Sequence, residues 1–244
     1  MNLEKYQQYS RIARGLEKAD LVLKDARIVN VFTEEIIRGD IAIQDGIIAG
    51  IGSFHGKEEC DLAGRYVCPG FIDSHLHLES TLVTPAELVT AASRHGTTTF
   101  IVDPHESANV SGLAGIDYIL DQTEDVKANV YVMMPSCVPA TAIDDNGCTL
   151  TAEDMAPYLH NSRILGLGEV MDSISVVQGE KSMHDKLELF EGRIRDGHAP
   201  FLEEGDLQAY AMAGIATDHE CSFFDYAMRE RRNGLTILVR EGSA

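Results

Sequence analysis

The sequence predicts an α/β protein: an incomplete (β/α)8 TIM-type barrel of about seven strands, preceded by a small antiparallel β module. Three observations carry this expectation. From Cys68 onward strand-like and helix-like stretches alternate, and such repetition demands a parallel sheet, because each crossover must return the chain to the same end. Six strand candidates end on chemically active side chains. That suits a barrel, whose strand ends all meet at one mouth, better than an open sheet with one switch point. Finally, neither G-x-G-x-x-G nor G-x-x-x-x-G-K-[ST] is present, so the phosphate loops of nucleotide-binding open sheets are missing.

The elements follow in order. Asn2 to Ala19 reads as a short amphipathic helix with Tyr6, Tyr9, Ile12 and Leu16 on its apolar stripe. Residues 20–67 read as a small β-sandwich module rich in β-branched residues, with Asp45-Gly46 between two apolar runs as a hairpin turn. Residues 68–244 then supply strand candidates at Gly70–His77, Thr97–Asp103, Asn129–Ser136, Arg163–Glu169, Arg193–His198, Gly214–His219 and Leu235–Arg240. Helix candidates between them include Pro85–His95, with Pro at the first helical position, Asn109–Thr123 and Thr151–His160.

Composition narrows the class. With 244 residues, 44% apolar and 24% charged, the chain can bury a core and is not disordered. A net charge of −19 opposes a nucleic-acid binder, which needs dense Lys and Arg to release counterions. Five scattered cysteines without C-x-x-C spacing indicate neither a disulfide framework nor a zinc ribbon and suit a reducing compartment. No run approaches the roughly 20 apolar residues of a membrane span, and the polar start is no signal peptide, so a cytoplasmic protein without membrane partners is expected.

The sharpest motif is Pro69-Gly-Phe-Ile-Asp-Ser-His75-Leu-His77. On a strand, residues i and i+2 share a side, so two imidazoles project together, as a divalent-metal site requires. His198 and His219 each end a further strand candidate, and Glu169 ends another. Four His and one carboxylate from four strand ends are enough for two metal ions, with Glu169 available to bridge. His105, Glu106, Ser136 and Asp218 are weaker candidates for substrate contact or for orienting ligands. Arg240 and Glu241 are candidates for an ion pair at the mouth, and Met133, Met134 and Met171 read as core.

The H-x-H element after a β module resembles the amidohydrolase superfamily of metal-dependent barrel hydrolases. His75-Leu-His-Leu-Glu-Ser80, Val102-Asp-Pro-His-Glu106, Pro135-Ser-Cys-Val-Pro-Ala-Thr141, Gly168-Glu-Val-Met171, Asp196-Gly-His-Ala-Pro200, Ala213-Gly-Ile-Ala-Thr-Asp-His-Glu220 and Val239-Arg-Glu-Gly-Ser243 resemble its adenine deaminase family. The resemblance runs from about Leu16 to the last residue. It implies hydrolysis of adenine to hypoxanthine and ammonia by a metal-bridged hydroxide that attacks C6. It further implies a binuclear Mn2+ or Fe2+ centre, with Zn2+ as a third candidate, because this donor set does not choose among them. By position, His75 and His77 would hold one metal, His198 and His219 the other, and Glu169 both. Hydantoinase-like relatives bridge with a carboxylated Lys instead, and none stands at this strand end. In the superfamily an Asp on the eighth strand shuttles the proton. The seventh strand candidate closes at Arg240, so the sequence is expected to be the N-terminal portion of a longer protein, without that Asp and a homo-oligomer when full length. Two other readings stand beside this one: an amidohydrolase cleaving a cyclic amide or N-acetyl C–N bond, and an inactive metal-binding fragment.

Overall fold

The computed structural model describes residues 1–141 and 143–240; Glu241, Gly242 and Ser243 of the resemblance lie outside them. The chain divides into two compact units, Met1–Pro69 and Gly70–Ala244.

In the first unit, helix α1 covers Leu3–Ala13 and is capped by Asn2, whose side chain accepts the Lys5 N–H at 2.9 Å. It is shorter than the periodicity predicts. Gly15 takes a φ of +72° and the last carbonyls are closed by the Gly15 and Leu16 amides, so the helix ends there. Tyr9 and Ile12 are buried, while Tyr6 and Leu16 remain exposed. Strands β1 (Ala19–Asn30), β2 (Glu35–Gln44) and β3 (Ile47–Gly52) pair antiparallel. Asp45 and Gly46 form the expected turn, both at positive φ, which matches the twist of the two strands. The remaining strands, β4 (Gly56–Asp61) and β5 (Tyr66–Val67), differ from expectation: both join β1 in parallel. The unit is therefore one mixed sheet, neither wholly antiparallel nor two-layered among the described residues.

In the second unit all seven strand candidates form. Strands β6 (Phe71–Leu76), β7 (Thr97–Val102), β8 (Asn129–Met134), β9 (Ile164–Val170) and β10 (Ile194–Gly197) make one parallel sheet in chain order. The short pair β11 (Thr217–Asp218) and β12 (Thr236–Ile237) is also parallel. It is tied to β10 by the Ala216 N–H on the Arg195 carbonyl at 2.9 Å. This is the curled parallel sheet of an incomplete barrel. One apolar cluster fills it, including Phe100, Val132, Met134, Leu167 and Phe190.

Between the strands run α2 (Pro85–Ser93), α3 (His105–Ser111), α4 (Leu113–Gln122), α5 (Ala152–Met155), α6 (Ser173–Gln178), α7 (Lys181–Leu189), α8 (Glu204–Met212) and α9 (Phe224–Arg232). The helix predicted at Asn109–Thr123 is broken at Gly112, whose φ of +62° and ψ of −139° no helix accommodates. The one predicted at Thr151–His160 starts with a Thr151/Asp154 capping box, but turns 3-10 from Ala156, where Pro157 supplies no amide. None of the described helices is long and apolar enough to cross a membrane.

Candidate metal centre

Because the strands of the second unit are parallel, their C-terminal ends lie together, and each delivers side chains to one place. Strand β6 brings His75 and, just past its end, His77; their rings meet edge to face with Nε2 atoms 3.1 Å apart. Glu169, near the end of β9 and buried, faces both: its Oε1 lies 2.8 Å from each Nε2. His198, after β10, places Nδ1 3.1 Å from the other oxygen, Oε2. His219, after β11, stacks on His75 and brings Nε2 to 3.5 Å from Oε1. Of the five residues singled out in the sequence as ligands, the four His thus surround the fifth, Glu169. Two sets, His75/His77/Glu169 and Glu169/His198/His219, each bring three ligand atoms within 4.8 Å of one another and share Glu169.

The hydrogen-bond partners of the rings decide what this cluster can hold. His77 Nδ1 lies 2.8 Å from the Asp103 carbonyl, which only accepts, so Nδ1 carries the hydrogen. His75 Nδ1 lies 3.0 Å from the Asp196 carboxylate, to which it donates. In the neutral rings both Nε2 atoms therefore aim lone pairs at Glu169 Oε1. Three acceptors at such separations hold together only around positive charge, a proton or a cation.

The ionisation tendencies agree. Burial alone would lower His75 and His77, yet the Asp196 and Glu169 carboxylates lift His75 to about 10 and Glu169 lifts His77 to about 9. Burial works against the Glu169 charge, but the surrounding imidazoles hold it well below the usual carboxylate range. His219, by contrast, is pushed down to about 4 by burial and by its neighbour His75. Buried Glu169 Oε1, His198 Nδ1 and His219 Nδ1 have no hydrogen-bond partner among the described residues. Imidazoles and a shared carboxylate that hold together only around positive charge, with orphaned buried ligand atoms beside them, fit divalent cations.

The weaker candidates fall in different places. His105 is largely buried, its ring 4.6 Å from that of His77 and Nδ1 3.7 Å from Asp103 Oδ1; burial lowers its pKa. Glu106 stands half exposed 3.8 Å from His77 Nδ1 and accepts the Ser80 hydroxyl at 2.9 Å. Ser136 does not face the opening. It is fully buried and donates its hydroxyl to the main-chain carbonyl of Glu169. Asp218 accepts the Ala199 amide at 2.6 Å and the Glu220 and Cys221 amides at 2.8 and 3.0 Å, so it staples the backbone beside His198 and His219.

Reading the sequence left three neighbours of the cluster without a role. Asp196 and Asp103 hold His75 and His77 as just described, and Asp103 Oδ2 also accepts the Glu169 N–H at 2.6 Å. Each stands two residues before a strand-end His, which is the one signal that pointed to them. Glu220 approaches His219 Nε2 at 3.6 Å and pairs with Arg240 at 2.8 Å, while Glu241, the acid expected beside Arg240, lies outside the described residues. A cavity of about 450 Å³ lined by His75, His77, Ser80, His219 and Arg240 opens beside the cluster, within the range of small-molecule sites.

Residues 66–239 match the amidohydrolase family. Over 243 residues, all of this chain, the sequence is 57% identical to an adenine deaminase of Desulfitobacterium hafniense, and it covers 43% of that protein. It is 49% identical over 234 residues to the adenine deaminase of Clostridium acetobutylicum, with 95% of this chain and 41% of that one aligned. The chain thus spans less than half the length of these curated relatives. Among solved structures, it superposes on a zinc-complexed N-acyl-D-glutamate deacylase of Bordetella bronchiseptica with a TM-score of 0.61 at 18% identity, covering 91% of this chain and 58% of that one. A 5-methylcytosine deaminase of Klebsiella pneumoniae gives 0.54 at 15% identity, covering 88% and 64%. At these identities the two structures speak for the fold alone.

Proposed function

The chain belongs to the amidohydrolase family, and from that premise we propose that it carries the metal-binding part of an enzyme that hydrolyses adenine to hypoxanthine and ammonia. The observation that carries this reading is one buried carboxylate, Glu169, set within 2.8–3.5 Å of four imidazoles from three strand ends. The choice of adenine among C–N substrates comes from the high identity to the two adenine deaminases.

His75, His77 and Glu169 would hold one cation, and Glu169, His198 and His219 a second, with Mn2+ or Fe2+ as the expected metals. When bound, such a pair supplies a water acidic enough to attack at neutral pH. The chain's own residues do the rest of the positioning. Asp196 and the Asp103 carbonyl fix the Nδ1 hydrogens of His75 and His77, which keeps the Nε2 lone pairs free for ligation. The cavity beside the cluster takes the purine, and Glu106, near its rim by His77, offers a carboxylate to a ring N–H.

The test is ammonia release from adenine by the full-length protein loaded with Mn2+, compared with the metal-stripped protein. Turnover with adenine that is lost on stripping is the expected result. Turnover of a cyclic amide or an N-acetyl substrate without any turnover of adenine would refute the deaminase reading.

A further inference from the structure

Lys186 is an anomaly in an acidic protein. It sits on α7 between the core residues Met183 and Leu187 and is only 8% exposed. Burying an ammonium is expensive, and lysines are almost never fully buried without a strong partner. Here the hydrogen-bond acceptor among the described residues is a main-chain carbonyl, that of Ser136, at 2.6 Å. Burial lowers the lysine's pKa, while the Asp172 and Asp154 carboxylates nearby pull the other way.

The contact continues. A hydroxyl has one hydrogen, and a carbonyl accepts only, so Ser136 gives its proton to the Glu169 carbonyl. The 3.1 Å contact between Ser136 Oγ and Cys137 Sγ is then the thiol donating to the hydroxyl. Burial keeps that thiol protonated by raising its pKa. The Asp172 N–H approaches the same sulfur at 3.4 Å. On its other side Glu169 is held by Asp103 through its N–H, and its carbonyl also receives the Met171 N–H at 3.0 Å. The peptide units flanking Glu169 are therefore clamped from both sides, and the Ser136 clamp is anchored on a buried cation.

We propose that Lys186 is a positioning residue for the metal-bridging carboxylate: its ammonium fixes the Ser136 peptide, and the Ser136 hydroxyl fixes Glu169. The inference rests on the reading of Glu169 as the shared metal ligand. Partners of this kind shift metal affinity by about 10–100-fold when removed.

The experiment measures Mn2+ affinity by chelator competition, and the spin-coupled signal of a Mn2+ pair by electron paramagnetic resonance, in the full-length protein. The variants are Lys186→Met, Ser136→Ala and the double variant. Each single change is expected to weaken Mn2+ binding by about 10–100-fold and to alter the coupled signal. The double variant should lose no more than the weaker-binding single one, since both act through one chain of contacts. A wild-type protein that binds no Mn2+ removes the metal-centre reading itself. Wild-type Mn2+ affinity in a folded Lys186→Met protein, or losses that simply add, overturns the positioning role alone. If Lys186→Met does not fold, Ser136→Ala decides: a change of one atom that leaves affinity intact overturns the proposal, and a weakened affinity sustains it.

Discussion

Gly168 stands one residue before the shared carboxylate, and adding a single methyl there perturbs the centre in a way that can be worked out from distances. A Cβ at this position would lie 2.2 Å from Asp103 Oδ2, about 1.2 Å inside the 3.4 Å at which ordinary contact begins. Asp103 has little room to yield. It is 1% exposed, its carbonyl receives His77 Nδ1–H, and its N–H is bound to the Leu76 carbonyl at 3.0 Å. Either the carboxylate moves and drops the Glu169 N–H, or β9 moves and carries Glu169 away from the imidazoles. Overpacking costs about 1–3 kcal/mol, and a lost hydrogen bond to a charged acceptor about 1.5–3 kcal/mol. Gly168→Ala is therefore expected to destabilise by about 2.5–6 kcal/mol. In a domain of this size each kcal/mol lowers Tm by about 2–4 °C. The assay is thermal unfolding together with metal analysis after gel filtration. Gly205→Ala, in α8 with open space around the added carbon, serves as control and should be neutral or slightly stabilising. A Gly168→Ala protein with wild-type Tm and full metal content would refute the reasoning.

Three further outcomes are expected. His75→Ala should lose bound metal, read by elemental analysis, and unchanged stoichiometry would exclude His75 from the centre. Glu230, fully buried on α9, has its carboxyl raised to about 8 by burial and by the Asp218 charge. The fold thus keeps a proton that the unfolded chain releases near pH 4–5, so stability falls as pH rises through that window toward 8, by up to about 1.4 kcal/mol per pH unit. Glu230→Gln should flatten that decline in denaturant titrations at pH 5 and 8, and an unchanged slope would refute the assignment. Gly46→Ala, at φ +75° in the β2–β3 turn, should cost about 1 kcal/mol from left-handed backbone strain while leaving metal content unchanged, as checked by hydrogen exchange and metal analysis.

The parts of the fold visible in the sequence are those governed by neighbours along the chain. Strand–turn–helix alternation marks β6 to β12 because apolar periodicity and turn residues are local. The His75 and His77 pair is visible because two residues on a strand share a side whatever surrounds them. Helix ends were harder. The break at Gly112 and the 3-10 turn after Ala156 depend on backbone conformations that apolar periodicity does not encode. The parallel attachment of β4 and β5 depends on a choice of sheet edge, which alternation leaves open.

The sequence by itself determined the parallel strand order, the five ligand candidates and their placement at strand ends, since strand periodicity and chain direction suffice for that. Only the tertiary structure decided which buried groups hold those candidates. Asp196 reaches His75 from 121 residues away, Asp103 reaches Glu169 from 66, Ser136 from 33, and Lys186 reaches Ser136 from 50. A buried polar group must find a partner wherever packing places one, so those roles follow from which strand ends and helices become neighbours when the sheet curls.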